Sequence, residues 1–121
     1  MRELNEQRVC EILNEIVEFL QEQATESLQH ALLAGDLITG LDGHPTQQIA
    51  HIEESNDHSV MQILLESQEH ELKAVDVYKK LLEEVVDASI MLEEYARGQI
   101  GEEEQHALEI KKMLKDYGPN V

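Results

Sequence analysis

The sequence is poor in aromatic side chains and in the residues that interrupt helices. Its 121 residues include two prolines, six glycines, no tryptophan and only 3% aromatic residues. Because proline and glycine mark the breaks between elements, their scarcity predicts few, long elements. Leucine, glutamate, glutamine and alanine are abundant and favour helices, whereas the alternating polarity of strands is rare. The sequence therefore predicts an all-α fold in a single domain over residues 1–121.

Cysteine and long apolar runs are scarce as well. Cys10 is the only cysteine, so a single chain cannot form a disulfide framework. The sequence has no cationic leader followed by an apolar stretch, and no apolar run of membrane-spanning length. These observations predict a cytoplasmic protein with no membrane partner.

Basic residues are few compared with acidic ones. Nine lysines and arginines stand against 26 aspartates and glutamates, and the formal net charge is −17. Such a surface repels nucleic acid and anionic membranes and attracts metal cations. Taken alone, the charge describes any solvated helical surface, so it becomes informative only together with a cation site. We expect no nucleic-acid partner.

Apolar spacing predicts three helices. They cover about residues 2–39, 57–85 and 89–117, with a crossover loop over residues 40–56. Gly40 and Gly43 are expected to end the first helix, and Asn56 or Asp57 to cap the second. A first helix of this length has a half that two shorter helices of its own chain cannot cover. We therefore expect a homo-oligomer.

The 3-4 spacing of a helix bundle predicts an inner seam on each of the last two helices. The seams are Val60, Leu64, Ser67, Glu71, Ala74, Tyr78, Leu81 and Val85 on the second helix, and Leu92, Ala96, Gln99, Glu103, His106, Ile110, Met113 and Tyr117 on the third. Carboxylates and imidazoles occupy positions where the helical spacing requires apolar residues. The predicted inward-facing set is Glu26, His30, Glu71, Glu103 and His106. Buried carboxylates are strongly disfavoured unless they are protonated, paired with a basic residue or bound to a metal, and the lysines and arginines fall off the predicted seams. Carboxylates with imidazoles and no thiolate suit iron or manganese, and less specifically zinc.

Each of these features has an ordinary explanation when it is taken alone. Glu-x-x-His on a glutamate-rich helix is mostly a surface coincidence, and a register shift by one residue exposes Glu71. A metal site is indicated because Glu71 and the Glu-x-x-His pair are predicted at equivalent depth in the bundle, with His30 on a third helix. Glutamates from facing helices together with Glu-x-x-His form the arrangement of di-iron carboxylate bundles.

Three stretches resemble parts of the bacterioferritins. GDLITGLDGHP is similar to the end of their second helix and the crossover, ESQEHELKAVDVYKKLLEEV to their third helix, and EEYARGQIGEEEQHALEIKKMLKDYG to their fourth. The resemblance implies a ferritin-like helix bundle that binds iron, oxidises Fe²⁺ with dioxygen or peroxide, and stores Fe³⁺ mineral in a hollow shell. It also implies that Glu71 and Glu103 bridge two irons, while His106 and His30 each ligate one.

The chain departs from the bacterioferritins in the first half of the bundle. Their second-helix motif is Glu-x-x-His, but this chain has Ser27 at the place of the glutamate. The nearest carboxylate is Glu26, four residues before His30. Leu20 stands near the place of their first-helix ligand, and the first and second helices read as one fused helix. Because the fused helix cannot fold back on its own chain, we expect a second chain to complete the four-helix bundle in a dimer with exchanged first helices.

Several alternatives remain open at this point. Leu28 and Gln29 flank the second-helix ligand where bacterioferritins carry the methionine that binds haem, so no haem is predicted. The leading hypothesis is an iron-binding protein with a di-iron centre and ferroxidase or iron-storage activity. The alternative is a non-enzymatic, truncated ferritin-like assembly module without a functional metal centre. A third is a different dimetal oxidase or a zinc protein, since the sequence does not choose among iron, manganese and zinc.

Overall fold

A computed structural model of the protein describes residues 6–116. This part of the chain contains three helices, α1 (Glu6–Gly40), α2 (Val60–Val85) and α3 (Ile90–Asp116), and residues 6–116 include no strand. The predicted all-α class with three helices per chain is confirmed. Residues 2–5 and Tyr117, at the predicted outer ends of the first and last helices, lie outside the described residues. The bundle completed by a second chain stays a prediction.

Helix α1 runs for 35 residues without interruption, which is about 52 Å at the usual helical rise. Its end is a Schellman motif, in which the Gly43 amide donates to the Ile38 carbonyl at 2.8 Å and the Asp42 amide to the Thr39 carbonyl at 3.1 Å. Asp42, with φ 65°, occupies the left-handed position that glycine usually fills. Gly43 is required for space, because a Cβ there would lie 2.9 Å from Ile38 Cγ2.

Helix α2 begins at Val60, after the residues predicted to cap it, because Ser59 is its N-cap. The Ser59 hydroxyl accepts a hydrogen bond from the Gln62 amide at 3.0 Å, which satisfies one of the free amides of the first turn. Asp57 does not cap the helix itself. Its Oδ1 accepts a hydrogen bond from the amide of the N-cap residue Ser59 at 2.9 Å. The predicted capping residue therefore supports the cap without forming it.

Helices α2 and α3 pack as an antiparallel hairpin joined by a turn over residues 86–89. Asp87 takes the left-handed conformation in this turn, with φ 62°. The buried side chains of the two helices are Leu64, Glu71, Val75, Val85, Ala96, Gln99, Glu103, His106, Ala107 and Ile110. Most of them lie on the seams predicted from the 3-4 spacing, and the buried set includes the polar residues that the spacing placed there.

The chain divides into two compact units, Met1–Ser55 and Asn56–Val121. The first carries α1 and the second carries the α2–α3 hairpin. That both units belong to one domain stays a prediction. Within residues 6–116, no helix combines the length and the apolar character needed to cross a bilayer.

Candidate metal centre

Three side chains of the types that ligate metals meet inside the α2–α3 hairpin. Glu71 comes from α2, and Glu103 and His106 come from α3, where a spacing of three residues puts them on one side of the helix. Their exposed fractions are 8%, 6% and 8%. One ligand atom from each lies within 4.8 Å of the other two. We call these three residues the triad.

The separations within the triad suit a shared cation. His106 Nδ1 lies 3.6 Å from Oε2 of Glu71 and 3.5 Å from Oε2 of Glu103. Ligand atoms placed about 2.1 Å from one tetrahedral metal ion stand roughly 3.4 Å from each other. Both separations from His106 Nδ1 are therefore close to those between two ligands of one transition-metal ion. Two carboxylates and one imidazole, with no thiolate, form a donor set that iron and manganese accept.

Basic side chains of the hairpin are held on its outer face by surface ion pairs. Lys73 Nζ lies 3.1 Å from Oε1 of Glu69, and Arg97 Nη2 lies 2.8 Å from Oε1 of Glu93. The hydrogen bond from Arg97 lowers the pKa of Glu93, and the same bond raises the pKa of Arg97. These two positive charges are exposed and paired with surface glutamates, so they are not the counter-charges of the buried carboxylates.

Two tyrosines pack edge to face in the hairpin, between the triad and the turn over residues 86–89. The ring centroids of Tyr78 and Tyr95 are 6.2 Å apart, and the ring planes cross at 83°. The pKa of Tyr95 is raised to about 12, chiefly by burial and in smaller part by the charge and hydrogen bond of Tyr78. Tyr95 therefore keeps its proton to a higher pH than an exposed tyrosine does.

Gln99 is a further polar residue in the interior of the hairpin, and its sequence context predicts no function for it. It lies one turn before Glu103 on the inner side of α3 and is 7% exposed. Its Oε1 is buried and has no hydrogen-bond partner among the residues that the structure describes. The sequence feature that could have identified Gln99 is its position on the seam between Ala96 and Glu103, where an apolar residue is expected.

Glu26 and His30, the predicted ligands on the first helix, are half-buried on α1 and belong to the first compact unit. The group of potential metal ligands found within residues 6–116 contains the triad and neither of these two. Glu26 instead lines an open surface depression on α1 together with Glu18 and Glu22. A metal-binding role for Glu26 and His30 stays a prediction.

Comparison with known proteins agrees with the helical architecture. A family model described as a ferritin-like domain matches residues 11–117, a range that covers most of the chain and contains the triad. Searches among curated proteins and among solved structures return no match. The family is associated with iron, and the triad is a group that can hold a metal ion. The chain therefore belongs to the ferritin family of ferritin-like domains.

Proposed function

We propose that this protein binds iron at a centre built on the triad and oxidises Fe²⁺ there for storage. The observation that carries the proposal is the meeting of Glu71, Glu103 and His106 in a nearly inaccessible interior, with donor separations of 3.5 and 3.6 Å. Two buried carboxylates next to each other are costly without a counter-charge, and a divalent cation supplies it. Membership of the ferritin family supports iron over manganese or zinc.

The triad accounts for part of a two-metal centre, and the bacterioferritin-like motif suggests the rest. By that resemblance, Glu71 and Glu103 would be shared by two irons, and His106 would hold one of them. His30, with Glu26 one turn before it on α1, would hold the second. This assignment rests on the resemblance of the helices to those of bacterioferritins, from which the fused first helix departs. It requires that a first helix carrying Glu26 and His30 lies against the triad.

The oxidation that we propose is balanced between two ferrous ions and one oxidant molecule. Each Fe²⁺ gives up one electron, and dioxygen takes both electrons with two protons to become hydrogen peroxide. With peroxide as the oxidant, the same two electrons and two protons yield water. Glu71 and Glu103 favour the product state, because the more highly charged ferric ion interacts more strongly with two carboxylates. The net charge of −17 raises the local concentration of Fe²⁺ around the protein.

The direct test adds Fe²⁺ to metal-free protein without oxygen and then admits air. We expect the near-ultraviolet absorbance of ferric iron to develop faster than in buffer. A Glu103→Gln, His106→Ala double variant should lose this absorbance while keeping its helix content. Glu104→Gln is the matched control, since Glu104 is exposed and neighbours Glu103. If the wild-type protein neither binds Fe²⁺ nor speeds its oxidation, the proposal is wrong.

The competing function is a helical assembly module that has lost its chemistry. Ser27 in place of the motif glutamate, and Leu20 near the place of the first-helix ligand, favour it. If the protein is such a module, it should be purified without stoichiometric transition metal. Its melting temperature should not respond to chelators or to added metal. Elemental analysis of protein purified from iron-supplemented cells separates the two functions.

We also propose that a second copy of this chain completes the bundle by exchanging its first helix. Helix α1 is about 52 Å long, whereas the 26 and 27 residues of α2 and α3 span about 40 Å. Leu28 and Leu32, one turn apart near His30, are 63% and 64% exposed, as expected for a face that another chain covers.

Light scattering coupled to size-exclusion chromatography tests this association. Wild-type protein should elute as a dimer or a larger assembly. A Leu28→Glu, Leu32→Glu variant should shift toward monomer, because two charges on the apolar contact are costly to bury. Gln29→Glu, at an exposed position between them, serves as the control. A monomeric wild-type protein at micromolar concentration would exclude the exchanged dimer.

A further inference from the structure

Gln99 has a buried hydrogen-bond acceptor to which no described residue of the hairpin donates a hydrogen bond. Its Oε1 is buried without a hydrogen-bond partner among residues 6–116 as described, although the residue is only 7% exposed. A buried amide oxygen without a partner costs free energy, since it has lost its bonds to water. A leucine of similar volume would fill the same space without that cost. The polar atom therefore needs a partner other than the described residues, and a bound ligand can supply it.

The position of Gln99 on α3 points toward the triad. Gln99, Glu103 and His106 follow each other at spacings of four and three residues, and all three are buried on the inner side of the helix. Side chains four residues apart on a helix are neighbours, with Cβ atoms about 5–6 Å apart. The amide oxygen of Gln99 is thus within reach of the space that the carboxylate of Glu103 borders.

Resting on the proposed metal centre, we infer that Gln99 donates its amide carbonyl oxygen to the cation held by the triad. An amide carbonyl is a hard oxygen donor of the kind that Mn²⁺ and Fe²⁺ accept beside carboxylates. It adds a ligand without adding a third negative charge to the two carboxylates already buried there. This explains why the position carries glutamine, whereas a third carboxylate would increase the repulsion in the metal-free protein.

The inference makes opposite predictions for metal-free and metal-bound protein. In Gln99→Leu, the metal-free protein should melt at a higher temperature than wild type, because the buried oxygen without a partner is gone. The same variant should bind Co²⁺ about 10- to 100-fold more weakly, the range found when groups supporting a metal site are removed. Co²⁺ is the probe because air does not oxidise it under these conditions and its visible bands report the coordination number.

Further variants separate coordination from packing. Gln99→Met also removes the oxygen, and it puts a flexible side chain of similar length in its place. It replaces Gln99→Leu in the test if leucine does not fit. Gln99→Glu keeps an oxygen donor, so it should bind Co²⁺ at least as tightly as wild type, while its metal-free form should melt at a lower temperature because a third carboxylate adds repulsion. Gln105→Leu, at an exposed position of α3, is the control for a glutamine lost elsewhere on the same helix.

The outcomes distinguish this inference from the proposed function. Wild-type protein that fails to bind Co²⁺ overturns both. If wild type binds Co²⁺ and Gln99→Leu binds it with the same affinity and the same visible spectrum, the metal centre stands and the role of Gln99 is overturned. A variant that leaves Co²⁺ binding intact but changes the ionisation of Tyr95 assigns the oxygen to the tyrosine pair instead, and also overturns it. Weaker binding with an altered spectrum, in folded protein, supports it.

Discussion

The Nδ1 atom of His106 on α3 lies 3.6 Å from Oε2 of Glu71 on α2, across the interior of the hairpin. The hairpin turn brings these two residues together, and both side chains are buried in the interior that also contains Leu64 and Ile110. Glu103 joins them from within α3 at 3.5 Å from the same nitrogen. One ligand atom from each of the three side chains lies within 4.8 Å of the other two, which is the grouping that a metal site requires.

Neutralising one carboxylate of the triad should sharply weaken metal binding. In Glu71→Gln the amide keeps the shape of the side chain and loses its charge. We expect Mn²⁺ affinity, measured by calorimetry without oxygen, to fall about 100-fold or more, since even the partners of metal ligands contribute 10- to 100-fold. Glu83→Gln, at an exposed position on the same helix, should bind like wild type. Equal affinities for the two variants would remove Glu71 from the site.

Metal binding should raise the melting temperature of the wild-type protein. A ligand that binds only the folded state at 100 times its dissociation constant adds about 2.7 kcal/mol to the free energy of unfolding. Replacing His106 with leucine should abolish this increase, because the triad loses its nitrogen donor. His70→Leu is the control, since His70 neighbours Glu71 but is exposed. A metal-induced rise that persists in His106→Leu would place the bound ion elsewhere.

Much of the helical architecture could be predicted from the sequence, because it follows from the spacing of apolar residues. Scarce proline and glycine gave three long helices, and the 3-4 spacing identified Ala96, Glu103 and Ile110 as interior positions of α3. The helix ends were harder to predict. Ser59 caps α2 although Asp57 is an equally good cap by residue type, because Asp57 is engaged by the Ser59 amide. Such a choice depends on backbone geometry that a sequence pattern does not contain.

The candidate site was predictable only where a buried polar residue broke an apolar stripe. This rule found Glu71, Glu103 and His106, because a charged residue on a seam is unusual enough to require an explanation. It gave no role to Gln99, because a neutral amide on a seam is a weaker anomaly than a charge. The missing hydrogen-bond partner of its oxygen is a property of three-dimensional packing. The metal-binding roles of Glu26 and His30 remain predictions for the same reason. Sequence spacing shows which face of α1 they occupy but not what packs against that face.

The N-cap of α2 should contribute measurably to stability. Ser59→Ala removes the oxygen that accepts from the Gln62 amide at 3.0 Å and leaves that amide to water. We expect a loss of about 1 kcal/mol in the free energy of unfolding, measured by urea denaturation with an unchanged slope. Ser59→Asp, which also offers a capping oxygen, should stay near wild type. A loss as large in Ser59→Asp as in Ser59→Ala would mean that the cap is not the cause.

The raised pKa of Tyr95 predicts how stability changes at alkaline pH. Its pKa is about 12 in the folded protein against an ordinary value of 10.0, chiefly because burial disfavours the charged tyrosinate. Between these two values the folded state keeps a proton that the unfolded state has lost. The stabilisation is therefore complete below pH 10 and is lost as the pH rises through 12.

Titration of the tyrosinate absorbance should show this directly. Folded wild-type protein should contain one tyrosine that ionises later than the others, and in Tyr95→Phe that late step should be absent. Tyr95→Phe should also lose less of its stability than wild type over the same pH range, because phenylalanine has no proton to release. Protein unfolded in urea, in which every tyrosine meets the same solvent, provides the reference curve. If all tyrosines of the folded protein ionise together with that curve, Tyr95 is not shielded by the hairpin, and the packing of Tyr78 against it is looser than the 6.2 Å contact implies.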